Sequence, residues 1–150
     1  MSTFNIQALS SAGIQYSDWL QLWQGYQQFY QVQLTEELSL NTWQKLTDPK
    51  QEHIYGFVAY LDHEAVGLVH VIEHDSCWTI QPYAYLQDLF VLNEQRGQGI
   101  AKALIEQVHA YTKQRQCDRV YWLTHQDNDV AQKLYDQIAR KTGFIQYRLN

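Results

Sequence analysis

The fold of this chain is decided by one stretch, residues 85–101, which reads YLQDLFVLNEQRGQGIA. Its first half is rich in aliphatic and aromatic residues and predicts a β-strand. Its second half ends in a glycine-bearing turn, residues 96–101, that leads into an amphipathic helix predicted over residues 99–114. Glycine takes positive φ without a steric cost, and the first turn of a helix carries unpaired N–H groups with a partial positive charge. The strand, turn and helix together therefore predict a site for phosphate groups.

The spacing of the glycines narrows the choice of phosphate ligand. A Walker loop needs a Gly-Lys-Ser/Thr sequence, which is absent, and a dinucleotide fingerprint needs a third glycine where this chain has Lys102. The remaining pattern, Arg-x-x-Gly-x-Ala after a Leu-Phe-Val strand, resembles the acetyl-CoA pyrophosphate loop of the GNAT family of N-acetyltransferases. It matches the family pattern at every specified position. The alternative is an ordinary strand, turn and helix in which the glycines only turn the chain.

The rest of the chain predicts strands and helices on both sides of this segment. The predicted elements in chain order are a strand over 4–9, a helix from the cap Asp18 to residue 33, a helix over 36–46, strands over 54–61, 65–73 and 83–92, the helix over 99–114, a strand over 119–124, a helix capped by Asp127 or Asn128 and followed by Gly143 as its C′ residue, and a closing strand over 144–149. This order predicts an α/β domain built on a mixed sheet.

The same order of elements is that of the GNAT family, so the resemblance covers nearly the whole chain. It implies the acyl-CoA N-acyltransferase fold, in which helices flank a mixed, mostly antiparallel twisted sheet. Residues 122–128, Tyr135 and the Gly143-Phe144 pair resemble the family's second motif, closest to the branch with yeast Hpa-type and polyamine acetyltransferases. Tyr135 and Gly143 are eight residues apart, farther than in many members, which predicts a last helix one turn longer.

Composition and length fit a single domain over residues 1–150, with 45% hydrophobic residues to form a core. No apolar run approaches the roughly 20 residues that a membrane span needs, and residues 1–5 lack a signal-peptide pattern. Cys77 and Cys117 do not suggest a disulfide framework, so we expect a reduced, cytoplasmic protein. The net charge of −5 argues against nucleic acid as a partner, tRNA acetylation included, and is compatible with a cationic substrate.

The resemblance implies that an amine attacks acetyl-CoA directly in a ternary complex, without an acyl-enzyme or a metal. Backbone groups of residues 89–91 would pair with the pantetheine arm, and the N–H of Val91 would polarise the thioester carbonyl. The glycine loop would hold the pyrophosphate. The residues expected to bind acetyl-CoA are Leu89, Phe90, Val91, Arg96, Gly97, Gln98, Gly99, Ile100, Ala101, Lys102, Asn128 and Tyr135.

Two side chains are expected to move protons. Tyr135 is the candidate general acid for the departing thiolate, since a phenol is protonated at neutral pH; the alternative is a tyrosine that only packs on an apolar helix face. Asp88 is the candidate general base or substrate anchor, because a charge in an apolar strand is costly unless it is paired or functional. Polyamine acetyltransferases carry Glu-Asp where this chain reads Gln87-Asp88, so a water between Asp88 and the amine is an alternative.

Other residues remain alternatives for the base: Glu73, His70 and His74. A zinc site from His70, His74 and Cys77 would lack a fourth ligand at recognised spacing. We therefore predict no metal.

The acceptor side of the site is expected around the first helix. Its aromatic face predicts a core stripe, whereas family architecture places this region over the acceptor. The residues expected to contact the substrate are Tyr26, Tyr30, Trp43, Glu73 and Asp88. Glu36 and Glu37 either select a cation or form a solvated helix start.

The function expected from these residues is acetyl transfer from acetyl-CoA to the primary amine of a small molecule such as a polyamine or amino acid. Acetylation of a protein N-terminus or lysine is the alternative within the same chemistry. A non-catalytic acyl-CoA sensor is the alternative of another class. A homodimer is common for the fold, and the closing strand over residues 144–149 would be available to take part in it.

Overall fold

The computed structural model describes residues 4–150, and these form five β-strands and four α-helices. In chain order they are β1 Phe4–Ala8, α1 Tyr16–Phe29, α2 Glu36–Thr47, β2 Ile54–Leu61, β3 Glu64–His74, β4 Tyr83–Val91, a short 3-10 turn Asn93–Gln95, α3 Ile100–Gln114, β5 Arg119–Tyr121 and α4 Asp129–Ile138. The strands and helices around the glycine loop thus lie where the sequence predicts them. None of the helices in this range is long and apolar enough to cross a bilayer.

The sheet runs in the order β1-β2-β3-β4-β5. The first three pairings are antiparallel and the last, between β4 and β5, is parallel. A parallel pair needs a crossover, which α3 supplies. The prediction of a mixed, mostly antiparallel sheet is therefore confirmed.

Helices cover both faces of the sheet, because side chains of the central strands alternate between two cores. On β3, Val69 and Val71 join the core under α3, whereas Leu68 points into the core under α1. Leu104 of α3 is fully buried, and burial of such a side chain contributes about 1.5–3 kcal/mol. Trp19 of α1 is also fully buried and fixes that helix against the opposite face.

A β-bulge in β4 opens the sheet. His70 pairs with Asp88 but Val71 pairs with Leu86, which leaves Gln87 as the extra residue. Beyond the bulge β5 no longer follows β4, since their pairing ends at Tyr85. The two strands therefore separate toward their carboxyl ends and leave a gap between them.

The first helix differs from its prediction at both ends. It begins at Tyr16, and Gln15 occupies the N-cap without a side-chain bond. The carboxylate of Asp18 instead accepts a hydrogen bond from the Tyr60 hydroxyl at 3.3 Å. The helix ends at Phe29 rather than at residue 33, because Gln31 adopts a left-handed φ of 57° that a helix cannot continue through.

The chain after α4 corrects two further predictions. The helix ends at Ile138, so it is not one turn longer, and Gly143 lies beyond its end instead of at C′. The extra spacing after Tyr135 is an irregular segment. Residues 144–149 form no strand, because β5 has only three residues and offers no matching length of edge. The side chains of Phe144 and Tyr147 are 92% and 88% exposed as a result.

Candidate functional site

A cleft of about 560 Å³ lies where β4 and β5 separate. The glycine loop and the start of α3 form one end, α4 forms a side wall, and the last turns of α1 form the other side. The lining residues are Tyr26, Phe29, Tyr30, Leu86, Gln87, Leu89, Phe90, Val91, Gln95, Arg96, Gly97, Gly99, Ile100, Ala101, Lys102, Trp122, Leu123, Thr124, Asn128, Val130, Ala131, Leu134 and Tyr135. The bulge in β4 thus creates the cleft that the sequence pattern predicts at this place.

The glycine loop presents free backbone donors to the cleft. Gly97 and Gly99 both have a φ of 82°, and Gly99 caps α3 with no side chain to occupy the first N–H groups. The N–H groups of Gly97, Gln98 and Gly99 donate to no other atom within residues 4–150. Arg96 and Lys102 add two positive charges beside them. This arrangement suits a polyanion such as a pyrophosphate.

The edge of β4 also offers backbone groups to the cleft. The N–H of Leu92 donates to the carbonyl of Val66 at 2.9 Å, so this residue faces β3. In an antiparallel strand the backbone groups of neighbouring residues point to opposite edges, so those of Val91 point away from β3. The Val91 carbonyl accordingly accepts from Arg96 Nε at 3.3 Å on the cleft side. The N–H of Val91 points the same way and is a donor available to a ligand.

Tyr135 lines the cleft from α4, which begins at the cap Asn128. The Asn128 side chain accepts a hydrogen bond from the N–H of Ala131 at 3.3 Å, as expected for an N-cap. The ring of Tyr135 packs edge-on against Trp122, with centroids 5.3 Å apart. Burial, and to a lesser extent the neighbouring Tyr30, raises the pKa of Tyr135. Its phenol therefore stays protonated at neutral pH, and within the described chain the hydroxyl donates to no other residue.

Asp88 is held by a buried histidine. His70 Nδ1 lies 2.9 Å from Asp88 Oδ2, and His70 Nε2 lies 3.0 Å from the indole nitrogen of Trp19. An indole N–H only donates, so Nε2 must be the acceptor, and the proton of a neutral His70 resides on Nδ1. The side chain of Asp88 is 15% exposed, against 4% for that of His70. One carboxylate oxygen of Asp88 is thus fixed by His70.

Tyr26 lies beside Asp88 at the α1 side of the cleft. Burial, and then the negative charge of Asp88, raises the pKa of Tyr26. Its ring packs edge-on against Tyr30 and Phe90, with centroids 5.0 and 6.1 Å away. Tyr26 and Tyr30, both predicted to contact the substrate, therefore form one aromatic wall next to the carboxylate.

The structure does not bring all of the predicted residues to the cleft. The side chain of Gln98 donates to Gln95 at 2.8 Å, which leaves only its backbone for a ligand. Trp43 packs against Tyr16 and Trp19 in the core beneath α1, with ring centroids 5.5 and 5.4 Å away. This corrects the prediction that Trp43 contacts the substrate, because its ring packs against the core and does not line the cleft.

Glu73 also lies elsewhere, on the α3 face of the sheet. Its carboxylate accepts two bonds from Arg115, at 2.7 and 3.0 Å, and one from the Tyr55 hydroxyl at 2.6 Å. Burial opposes its charge, but the bonds from Arg115 and Tyr55 prevail and lower the pKa of Glu73. These contacts explain why a carboxylate is buried here. They correct the prediction that Glu73 contacts the substrate, since Glu73 does not line the cleft.

The remaining polar alternatives have other partners. Both ring nitrogens of His74 have partners, the Tyr121 hydroxyl and the carbonyl of Asp75. Residues 4–150 contain no group of three His, Cys, Asp or Glu side chains arranged to hold a metal ion. Glu36 and Glu37 are exposed in the first turn of α2 and do not line the cleft.

Sequence reasoning missed the Trp19–His70 contact and several wall residues. The aromatic face of the first helix, which includes Trp19, predicts only a core stripe, and the sequence makes His70 a candidate base or metal ligand. The contact joins residues 51 positions apart, so no local pattern reveals it. Trp122 lies within the predicted strand over 119–124 but just after the observed β5, and its aromatic character is the one local signal for a wall of the cleft.

Comparisons with known proteins agree with this architecture. Residues 18–139 match the acetyltransferase (GNAT) family. The D-amino-acid N-acetyltransferase HPA3 of Saccharomyces cerevisiae is 31% identical over 134 residues, covering 88% of this chain and 83% of the yeast protein. The aminoglycoside N(6')-acetyltransferase type 1 of Acinetobacter baumannii is 29% identical over 143 residues, covering 90% and 89%. The solved structure of AAC(6')-Iy with the bisubstrate analogue CoA-S-monomethyl-acetylneamine superposes with a TM-score of 0.80 at 22% identity over 99% of both chains, a likeness of fold.

Proposed function

Because this chain belongs to the GNAT family of acetyltransferases, and is thus an acetyl-CoA-dependent N-acetyltransferase, we propose that its cleft acetylates the primary amine of a small molecule. One observation carries the proposal. The free edge of β4 runs along the cleft from the donors of the glycine loop, and Asp88 of the same strand lies beside Tyr26, just behind the lining residues. The relatives named above act on aminoglycosides and D-amino acids, which are small amines.

The residues of the loop fit the cofactor. The free N–H groups of Gly97, Gln98 and Gly99, with Arg96 and Lys102, would hold the pyrophosphate of acetyl-CoA. The edge of β4 at Leu89 and Val91 would pair with an amide-bearing arm as though that arm were an added strand. Bound there, acetyl-CoA supplies the activated acetyl thioester.

The side chains in the cleft then divide the proton transfers between them. Asp88 would anchor the ammonium and take one proton from it, directly or through a water, so that the amine becomes nucleophilic. The N–H of Val91 would donate to the carbonyl oxygen as negative charge develops there. The phenol of Tyr135 would give a proton to the departing sulfur, and the amide product would lose its remaining excess proton to solvent.

The experiment that tests this proposal measures CoA release from acetyl-CoA with a panel of amines, amino acids, aminoglycosides and short peptides. We expect turnover with a small-amine class and its loss in the Arg96→Glu, Gly99→Glu double variant. Lys113→Glu, on the exposed last turn of α3, is the matched charge control and retains turnover. Wild-type acetyl-CoA affinity in the double variant would refute the assigned cofactor site.

We also propose that the protein is a cytoplasmic homodimer. The support for association is the apolar segment after Gly143, in which Ile145 is 75% exposed and Leu149 fully exposed. The support for the compartment is that Cys77 and Cys117 are both unpaired thiols. Light scattering of the wild type and of an Ile145→Ser, Leu149→Ser variant tests the dimer, which we expect to dissociate in the variant.

A further inference from the structure

The charges that line the cleft are distributed unevenly. Its two cations, Arg96 and Lys102, both lie at the glycine loop, and no aspartate or glutamate is among the described lining residues. Glu94, Asp127 and Asp129 neighbour lining residues in the chain, but they are exposed and remain outside the cleft. A polycation would therefore bury several ammonium groups without carboxylates to pair with them, and unpaired buried charge is costly.

The acceptor end holds a single anionic anchor. Asp88 does not line the cleft itself but lies behind Tyr26, which does. Its Oδ2 atom is hydrogen-bonded to His70 at 2.9 Å. Trp19 donates to the other ring nitrogen of His70, which directs the imidazole N–H toward Asp88 and leaves the carboxylate as the anionic group of the pair. One carboxylate with one negative charge matches one ammonium group.

The surface around this anchor is aromatic. Tyr26 and Tyr30 line the cleft beside Asp88, and the same two residues line a second hollow of about 180 Å³. This side pocket is completed by Trp23, Gln27, Val32 and Leu34 and has no charged residue. Trp23 is 7% exposed, and its indole nitrogen has no hydrogen-bond partner in the described chain. The walls of the side pocket are thus mainly aromatic and aliphatic.

From these observations, and resting on the proposed function, we infer that the acceptor is a primary amine with a single positive charge and a flat, apolar body. The ammonium is bound by Asp88, and the body packs against Tyr26 and Tyr30 and into the side pocket. Aromatic primary amines have this chemistry, and aromatic amino acids share it apart from their carboxylate, for which the side pocket has no cation. Among amines, the cleft disfavours the polycationic acceptors that the aminoglycoside-acetylating relatives use.

The test compares kcat/KM for 2-phenylethylamine and for D- and L-phenylalanine with that for cadaverine and kanamycin. We expect at least roughly tenfold higher kcat/KM for the best aromatic acceptor than for either polycation. The comparison of 2-phenylethylamine with phenylalanine then shows whether the preferred acceptor carries a carboxylate beside its amine. Preferential turnover of cadaverine or kanamycin would overturn the inference and leave the proposed function standing. Binding of acetyl-CoA without turnover of any amine would overturn the proposed function, and the inference with it.

A charge placed in the side pocket provides a second test. Val32→Glu puts a carboxylate at an exposed pocket position, where it should not disturb folding. We expect kcat/KM for 2-phenylethylamine to fall and that for cadaverine to rise. Leu38→Glu, at an exposed position of α2 outside both hollows, is the matched control and leaves the ratio unchanged. An unchanged ratio in Val32→Glu would show that the side pocket does not receive the acceptor.

Discussion

The indole nitrogen of Trp19 donates to Nε2 of His70 across 3.0 Å, at a place where both side chains are buried. Because an indole can only donate, this bond assigns the imidazole proton to Nδ1 and directs it toward Asp88. A helix on one face of the sheet thereby sets the tautomer of the histidine that holds the candidate base. The bond connects the packing of α1 with the chemistry of the cleft.

Replacing the donor should release this constraint. In Trp19→Phe the Nε2 atom loses its partner, which costs stability by about 1–3 kcal/mol, and the imidazole proton is no longer confined to Nδ1. His70 then holds Asp88 less firmly. We expect the KM for the amine to rise above that of the wild type. Steady-state kinetics at one fixed pH provide the measurement.

Trp43→Phe is the control for that experiment. Trp43 packs on Trp19 in the same aromatic cluster but forms no hydrogen bond to His70. Its replacement should leave the KM for the amine as in the wild type. Equal KM values for both variants would mean that the Trp19 bond has no part in amine binding.

The role of Tyr135 predicts a loss of kcat without a loss of cofactor binding. Removing a general acid in Tyr135→Phe should lower kcat on the order of 100-fold with acetyl-CoA. An acetyl thioester with a more acidic thiol needs less protonation and should recover part of that loss. The comparison of kcat for the two thioesters in wild type and variant gives the answer, and an equal loss with both would exclude proton donation to sulfur.

The raised pKa of Tyr135 also fixes the pH behaviour of the wild type. Burial keeps the phenol protonated beyond its ordinary value of about 10. A raised pKa places any loss of the acid above that pH, so the kcat profile should not decline between about pH 7 and about pH 9 through Tyr135. A decline in this range that disappears in Tyr135→Phe would contradict the assignment.

The Arg115–Glu73 pair predicts a stability effect separate from catalysis. Arg115 binds both carboxylate oxygens of Glu73, whose side chain is only 5% exposed. Arg115→Met leaves that charge buried and unpaired, and we expect a loss of about 3–5 kcal/mol at neutral pH. Because the pKa of Glu73 is lowered in the fold, its contribution is present above the unfolded value of about 4.3 and is lost as the pH falls through the folded value.

Urea unfolding at two pH values checks this prediction. The difference between wild type and Arg115→Met should shrink as the pH falls from 7 through the lowered pKa of Glu73. The double variant Glu73→Gln, Arg115→Met should recover much of the stability at pH 7. A pH-independent difference would show that Arg115 contributes by packing on Tyr55 and Tyr111 alone, over whose rings its guanidinium lies at 5.8 and 5.7 Å.

Alanine variants of two glycines distinguish the cost of backbone strain from the loss of cofactor binding. Gly13 and Gly99 have φ values of 96° and 82°, and an added Cβ would meet nothing within 4 Å at either position. Alanine at each should therefore cost a similar 1–2 kcal/mol, approximately, through strain alone. Only Gly99→Ala shifts the donors of the loop, and it should weaken acetyl-CoA binding roughly tenfold, the worth of about one hydrogen bond to a charged group. Calorimetric titration of both variants distinguishes them, and equal affinities would place acetyl-CoA elsewhere.

The glycine loop was predictable because its signals are local. The apolar strand, the two glycines and the amphipathic spacing of α3 lie within one continuous stretch, and each favours the same structure. The hairpin of β2 and β3 and the cap Asn128 follow from equally local patterns. Positions such as Leu89 and Gly97 thus line the cleft that their sequence pattern predicts.

The remaining features depend on distant contacts. The alternating FIQYRL pattern of residues 144–149 favours a strand, yet a strand needs a neighbouring edge, and β5 is too short to provide one. In the sequence Glu73 cannot be distinguished from other polar strand residues, because Arg115, its partner, reaches the same face of the sheet only in the folded chain. The assignments of Trp43 and Trp19 likewise depend on how α1 packs, which periodicity alone does not determine.

The central claim is that Asp88 anchors and deprotonates an amine in the cleft, and one measurement tests it most directly. It is the rate of CoA release by Asp88→Asn at saturating acetyl-CoA, beside Asp18→Asn as the control, whose carboxylate contacts Tyr60 on the same side of the sheet. We predict that Asp88→Asn lowers kcat/KM for the amine on the order of 100-fold with acetyl-CoA affinity unchanged, whereas Asp18→Asn keeps the wild-type rate. Wild-type kcat/KM in Asp88→Asn would contradict the claim.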